Sequence, residues 1–214
     1  MTYAIVSIHT PNFKELSDVT WPNKVEYANR HSYKSQAKTD GFLLEHASGE
    51  KIPFIREYLK ANPDVEWVWW LDTDTLITNY TKKIEEFLDN DYHFIITTDN
   101  NGINAGSFFV RNSPESLAYL DYMLEQYPTF KEQHGFFAEQ ECMVATYKMP
   151  EWQPLIKIIP QKLINAYDVW PNTWIDFSTF ASWEPGDFVV HWPGSTMETR
   201  LTRHIPFYRD KIIK

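Results

Sequence analysis

The stretch VEWVWWL, residues 65–71, runs straight into Asp72-Thr73-Asp74. Apolar residues at both odd and even positions mark a strand buried on both faces, the pattern of an interior strand in a parallel sheet. Two carboxylates at the end of such a strand cost stability unless something positive sits between them. In extended chain, residues i and i+2 face the same way. Asp72 and Asp74 can therefore point at one cation, and hard oxygens suit Mg²⁺ or Mn²⁺. The plainer alternative is that the acids only cap the loop that follows, and a lone D-x-D is weak evidence against it.

The surrounding chain alternates strand and helix patterns. Strands are expected at Tyr3–His9, Gly41–His46, Val65–Leu71, Tyr92–Thr97, Gly106–Arg111, Ile156–Pro160 and Asp187–His191. Helices are expected at Asn23–Lys38, Ile52–Lys60, Lys82–Leu88 and Phe137–Tyr147, and after Ser113, where Pro114 takes the first helical position. That alternation predicts an α/β fold with a mostly parallel twisted sheet flanked by helices. Ligands bind such sheets beyond the carboxyl ends of the strands, which is where Asp72 and Asp74 lie.

The chain has 214 residues, enough for one domain with a real core. Its net charge of −9 argues against a nucleic-acid partner. One cysteine, Cys142, excludes a disulfide framework. No apolar run reaches the roughly 20 residues of a membrane span, and MTYAIVSIHT does not read as a signal peptide. The expected location is therefore the cytoplasm. Aromatics are abundant (9 Trp, 12 Tyr, 14 Phe), so most must build the core. Trp170, Trp174, Trp183 and Trp192 sit near expected loops and are candidates for stacking on sugar rings.

The D-x-D segment VEWVWWLDTDTLITN resembles that of glycosyltransferase family 34, the α-galactosyl-, α-xylosyl- and related mannosyltransferases of the GT-A fold. Further blocks follow in family order: NKVEYANRHSY, KIPFIREYLKANPDVEW, INAGSFFVRNS, AEQECMVATY, IIPQKLINAY and GDFVVHWPGS. The resemblance implies a single GT-A domain over 1–214. About 1–100 would be the nucleotide-sugar half, about 101–195 the donor-sugar and acceptor half, and 196–214 a tail. It also implies that Asp72, Asp74 and the strand-end His191 hold a Mn²⁺, with Mg²⁺ as the alternative ion.

In the same reading Gln140 and Glu139 stand beneath the anomeric carbon, Gln140 as a charge-stabilising amide and Glu139 as a possible nucleophile. Asn104, Ala105, Gly106 and Asp99 would border the donor sugar, with Thr73 and Gly194 lining the nucleotide. Ser7, His9 and Thr10, at the end of the first strand, would meet the nucleobase; that placement rests on topology. The family's Gly-Cys is Gly194-Ser195 here, and Thr196 stands where a basic residue is expected. Lys51, Arg200 and Arg203 are the candidates to contact phosphate instead.

The expected function is metal-dependent transfer, with retention, of a hexosyl or pentosyl group from a nucleoside-diphosphate sugar to a saccharide or other hydroxyl acceptor. UDP-galactose and UDP-xylose lead as donors, with GDP-mannose behind. Two other classes stay open at this point. A dehalogenase-type phosphohydrolase also uses D-x-D, but it wants Thr or Val at position 76, which is Leu here, and it starts with that strand. A non-catalytic carbohydrate binder would keep the fold and the aromatic rims.

Overall fold

The protein is described here from a computed structural model covering residues 1–44, 46–168 and 181–214. In chain order the main elements are β1 (Thr2–Ile8), α1 (Lys14–Arg30), β2 (Lys34–Lys38), α2 (Lys51–Ala61), β3 (Val65–Leu71), β4 (Thr75–Ile77) and β5 (Phe94–Asp99). Then come β6 (Gly102–Arg111), α3 (Pro114–His134), α4 (Ala138–Thr146), β7 (Ile156–Ile159), β8 (Ala166–Tyr167), β9 (Val189–His191), α5 (Met197–Thr199) and α6 (Ile205–Arg209). A turn of π-helix, Arg200–His204, joins the last two.

Among the described residues, the main sheet has strand order β2-β1-β3-β6-β5-β7. All its strands run one way except β6, which is antiparallel to both β3 and β5. Alternation along β3 explains its unbroken apolar sequence. Trp67, Trp69 and Leu71 pack with Tyr27 and Ala28 of α1 on one face, while Val68 and Trp70 pack with Ile55 and Leu59 of α2 on the other. A second sheet, β4-β9-β8, extends the C-terminal edge and rests on a third cluster that includes Trp183, Trp192 and Tyr208.

Several local expectations change. The helix expected at Lys82–Leu88 forms only a short 3-10 turn, Ile84–Glu86. The first helix starts at Lys14, eight residues before Pro22, and carries that proline inside it. Proline deletes one hydrogen bond of a helix and disfavours the helical conformation just before it, and here the packed face of α1 outweighs that cost. The helix ends before Ser32, whose φ of 59° breaks the run. Residues expected to continue it form β2 instead, a half-exposed edge strand of sequence KSQAK, and charged residues suit an edge. The second strand expected at 41–46 is loop in its described residues, turned by Gly41 at φ +61°. Trp183 and Trp192 are 2% and 0% exposed, so both are core and cannot stack on sugars; Trp170 and Trp174 lie outside the described residues. No helix among the described residues is long and apolar enough to cross a membrane.

Candidate active site

Because β6 runs opposite to β3, its beginning meets the end of β3. Leu71 pairs with Ser107, and Asp72 N–H donates to the Gly106 carbonyl at 2.8 Å. The small sheet adds the third side. β9 runs antiparallel to β4, so His191 pairs with Thr75, next to Asp74, and Trp192 N–H donates to the Asp74 carbonyl at 3.0 Å. The result is one group, Asp72, Asp74 and His191, whose ligating atoms all lie within 4.8 Å of one another. These residues line a cavity of about 240 Å³ with Thr10, Lys51, Thr73, Ala105, Gly106, Glu139, Gln140, Gly194 and Arg200.

Each acid carries a cation of the protein's own. Lys51, at the start of α2, is 2% exposed. Its ammonium lies 3.3 Å from Asp72 and 3.2 Å from Glu139, and donates to the Ala105 carbonyl at 3.0 Å. Burial pulls its pKa down, but Asp72 and Glu139 outweigh this and hold it above the ordinary lysine value. Arg200 opens the π-turn and donates Nη2 to Asp74 Oδ2 and, at 3.0 Å, to the Trp192 carbonyl. Burial raises the Asp74 pKa; the Arg200 guanidinium overcomes that and holds its carboxyl well below the usual range. Trp70 Nε1 donates to Asp72 at 2.7 Å. The acids at the strand end are thus compensated by two buried cations from α2 and the C-terminal tail.

His191 is 3% exposed, with Nε2 3.4 Å from Asp74 Oδ1 and Nδ1 2.8 Å from Asn165 Oδ1. Its ring packs on Gly106, where an added Cβ would meet Cε1 at 2.2 Å. Two carboxylates and an imidazole converging in this way fit a divalent metal ion. Across the cavity, α4 presents Glu139, 5% exposed, with Oε2 buried and no hydrogen-bond partner. Gln140 Oε1 accepts a long hydrogen bond from Ala105 N at 3.4 Å.

Other expected residues are engaged differently. Ser7 is fully buried and donates to the Leu71 carbonyl at 2.7 Å, tying β1 to β3 outside the cavity. His9 packs edge-on against Trp21, its pKa pushed down to about 4 by burial and Lys24. Thr73 donates to the Ile8 carbonyl at 2.5 Å. Asn104 lines the cavity, where it was expected to offer its amide to sugar hydroxyls. Its oxygen accepts from Gly106 N and Asn165, and its nitrogen donates to Asp99 and Tyr167, so all four valences are spent inside the protein. Asp99 also accepts from Tyr167 and from Asn101 N at 2.7 Å, and does not line the cavity. Of the tail cations, Arg200 enters the site and Arg203 does not line it. Asn165 and Tyr167 were visible in the block IIPQKLINAY, but nothing in that block says which residue they touch.

The sequence profile of the galactosyl transferase GMA12/MNN10 family, glycosyltransferase family 34, matches residues 5–92 and 88–202. The chain belongs to this family. It is 32% identical to an uncharacterised α-1,2-galactosyltransferase of Schizosaccharomyces pombe over 80% of this chain and 54% of that protein. It is 28% identical to the probable α-1,6-mannosyltransferase MNN10 of Saccharomyces cerevisiae over 84% of this chain and 55% of that one. The family member described here thus spans about half the length of these curated relatives. A glycosyltransferase involved in glycosylation of the major capsid of PBCV-1 superposes with a TM-score of 0.76 at 18% identity, covering 97% of this chain and all of that one. The galactosyltransferase LgtC, crystallised with donor and acceptor sugar analogues, superposes at 0.55 and 11% identity over 98% and 95%. The fold is GT-A.

Proposed function

We propose that this chain is the catalytic domain of a metal-dependent, retaining glycosyltransferase that moves a hexosyl group from a nucleoside-diphosphate sugar to a saccharide hydroxyl. The observation that carries this reading is the convergence of Asp72, Asp74 and His191 at the end of β3, facing Glu139 and Gln140 across one cavity. The names of the relatives support galactose, with mannose as the alternative, over a pentose. UDP-galactose is the leading donor.

Asp72, Asp74 and His191 would hold a Mn²⁺, whose charge offsets that of the leaving diphosphate. The protein's own residues do the rest. The first half of the chain, about 1–100, binds the nucleotide, with Thr10 and Thr73 at the cavity wall. Arg200, freed from Asp74, turns its guanidinium to a phosphate oxygen, a geometry that guanidinium suits. It thereby stands in for the basic residue missing at Thr196. Lys51 stays clamped between Asp72 and Glu139 and fixes the distance between the two sides of the site. Glu139 and Gln140 meet the sugar on the face away from the diphosphate, where a carboxylate oxygen and an amide oxygen stabilise positive charge developing at the anomeric carbon.

A thermal-shift scan of UDP-galactose, GDP-mannose and UDP-xylose, with and without Mn²⁺, tests the reading. Stabilisation by one nucleotide sugar only in the presence of Mn²⁺ supports it. Saccharide binding indifferent to chelator would leave a carbohydrate-binding module. Phosphate release from simple esters would point to a phosphohydrolase.

A further inference from the structure

The tripeptides Asn104-Ala105-Gly106 and Asn165-Ala166-Tyr167 lie side by side, and their amides are joined in a chain whose direction is fixed at both ends. We infer that this chain locks His191 in the tautomer with Nδ1 protonated, so that the bare Nε2 faces Asp74. Its purpose rests on the metal reading above; its existence does not. Asn165 and Asn104 are then positioning residues, acting through His191.

The direction follows from donors that cannot reverse. Gly106 N–H can only donate, and it donates to Asn104 at 3.0 Å, which identifies that amide atom as the oxygen. Asn165 meets the same oxygen at 2.7 Å, so the atom it presents must be its NH₂, which also donates to Thr97 Oγ1 at 3.1 Å. The remaining atom of the Asn165 amide is therefore its oxygen, and it lies 2.8 Å from His191 Nδ1. An oxygen there requires a hydrogen on Nδ1. At the other end Asn104 Nδ2 donates to Asp99 at 3.0 Å and to the Tyr167 hydroxyl at 2.6 Å, and that hydroxyl donates to Asp99 in turn. The bonds from Asn104 and Tyr167, and that from Asn101 N, run toward the Asp99 carboxyl oxygens, which anchor the far end as acceptors. Asn165 is fully buried and Asn104 is 5% exposed.

The opposing pull is Asp74. Its Oδ1 would favour a hydrogen on Nε2, but it stands at 3.4 Å, and its other oxygen is held by Arg200. The shorter contact to Asn165 decides the tautomer. A ring with a bare Nε2 can ligate a cation without first losing a proton.

The test is ¹⁵N-histidine NMR of the metal-free chain at pH 9, above the ordinary imidazole range, with His191 assigned from His191→Gln. The expected spectrum shows a protonated-type Nδ1 and a bare-type Nε2; the reverse overturns the inference. Asn165→Ala should move the population toward the Nε2–H form and weaken Mn²⁺ binding, read by EPR, by about 10–100-fold. Asn165→Asp keeps an oxygen opposite Nδ1 and should keep the wild-type tautomer. A folded Asn165→Ala with an unchanged tautomer also overturns the inference. If Asn165→Ala does not fold, the wild-type spectrum still decides. If wild type binds no Mn²⁺, the metal reading falls, while the NMR result on the relay stands by itself.

Discussion

Asp74 is 9% exposed and Arg200 7%, and they are ion-paired, so neither can be removed without leaving the other buried and unpaired. Breaking such a pair costs about 3–5 kcal/mol. Asp74→Ala should therefore lose about 3 kcal/mol of stability in denaturant titration as well as all Mn²⁺-dependent nucleotide binding. Adding Arg200→Met should restore part of the stability and none of the binding. Restored binding in the double variant would show that Asp74 is no ligand. His9 gives a prediction in pH. Its pKa is about 4 in the folded chain against an ordinary 6.5, so between those values the unfolded chain holds a proton that the folded chain does not. Protonation then favours unfolding. The contribution is fully present above pH 6.5 and is lost as pH falls toward 4, on the order of 2 kcal/mol. His9→Phe should flatten that part of the stability–pH curve; an unchanged slope would assign it to other groups.

At the scale of elements, α1 does more than cover the sheet. Thr20 Oγ1 donates to the Thr73 carbonyl at 2.8 Å and Lys24 Nζ to the Thr75 carbonyl at 2.8 Å. Asn23 exchanges two 2.9 Å bonds with the backbone of Ile77. Residues 20, 23 and 24 share one helix face, and that face holds the D-x-D turn and β4 from behind. Asn23→Ala would strip both partners from a buried N–H and C=O. About 2–4 kcal/mol should be lost, together with nucleotide affinity, because β4 is the strand that pairs with His191 through Thr75. Calorimetry on both would separate the effects, and full affinity in a destabilised variant would mean that β4 holds its place without the helix. Gly106 tests the same seam from the other side. Gly106→Ala puts a methyl against the His191 ring, so Mn²⁺ affinity should fall while the fold persists by circular dichroism. Unchanged affinity would place the ring elsewhere.

At the scale of the molecule, the site is closed by remote parts of the chain: the ends of β1 and β3, the start of α2, the start of β6 with α4, and β9 with the π-turn behind it. Glu139 and Gln140 line the same cavity as Asp72, Asp74 and His191, and the retaining reaction proposed for them makes a stereochemical prediction. An α-linked donor should give an α-glycoside, and a β-anomeric coupling in product NMR would rule retention out. Gln140→Ala should reduce turnover by about 10²–10³-fold with a smaller effect on donor binding. Normal turnover with weakened binding would make Gln140 a sugar-positioning residue and move the charge-stabilising role to Glu139.

The β3 strand, its two acids, the N-cap of α3 at Ser113 and the strand ending at His191 were legible in the sequence, because each is written in a short run whose chemistry has one local solution. Periodicity along a strand and capping at a helix start depend on neighbours a few residues away. The start of α1 was not legible, since Pro22 reads locally as a break and only the packed helix face overrides it. Nor was β2, whose polar sequence makes sense only at a sheet edge. The pairing of His191 with Thr75, the place of Arg200 on Asp74 and the amide chain ending at Asn165 were decided by tertiary structure alone. Each joins residues far apart in sequence, and a hydrogen bond or ion pair leaves no periodic trace that would name its partner.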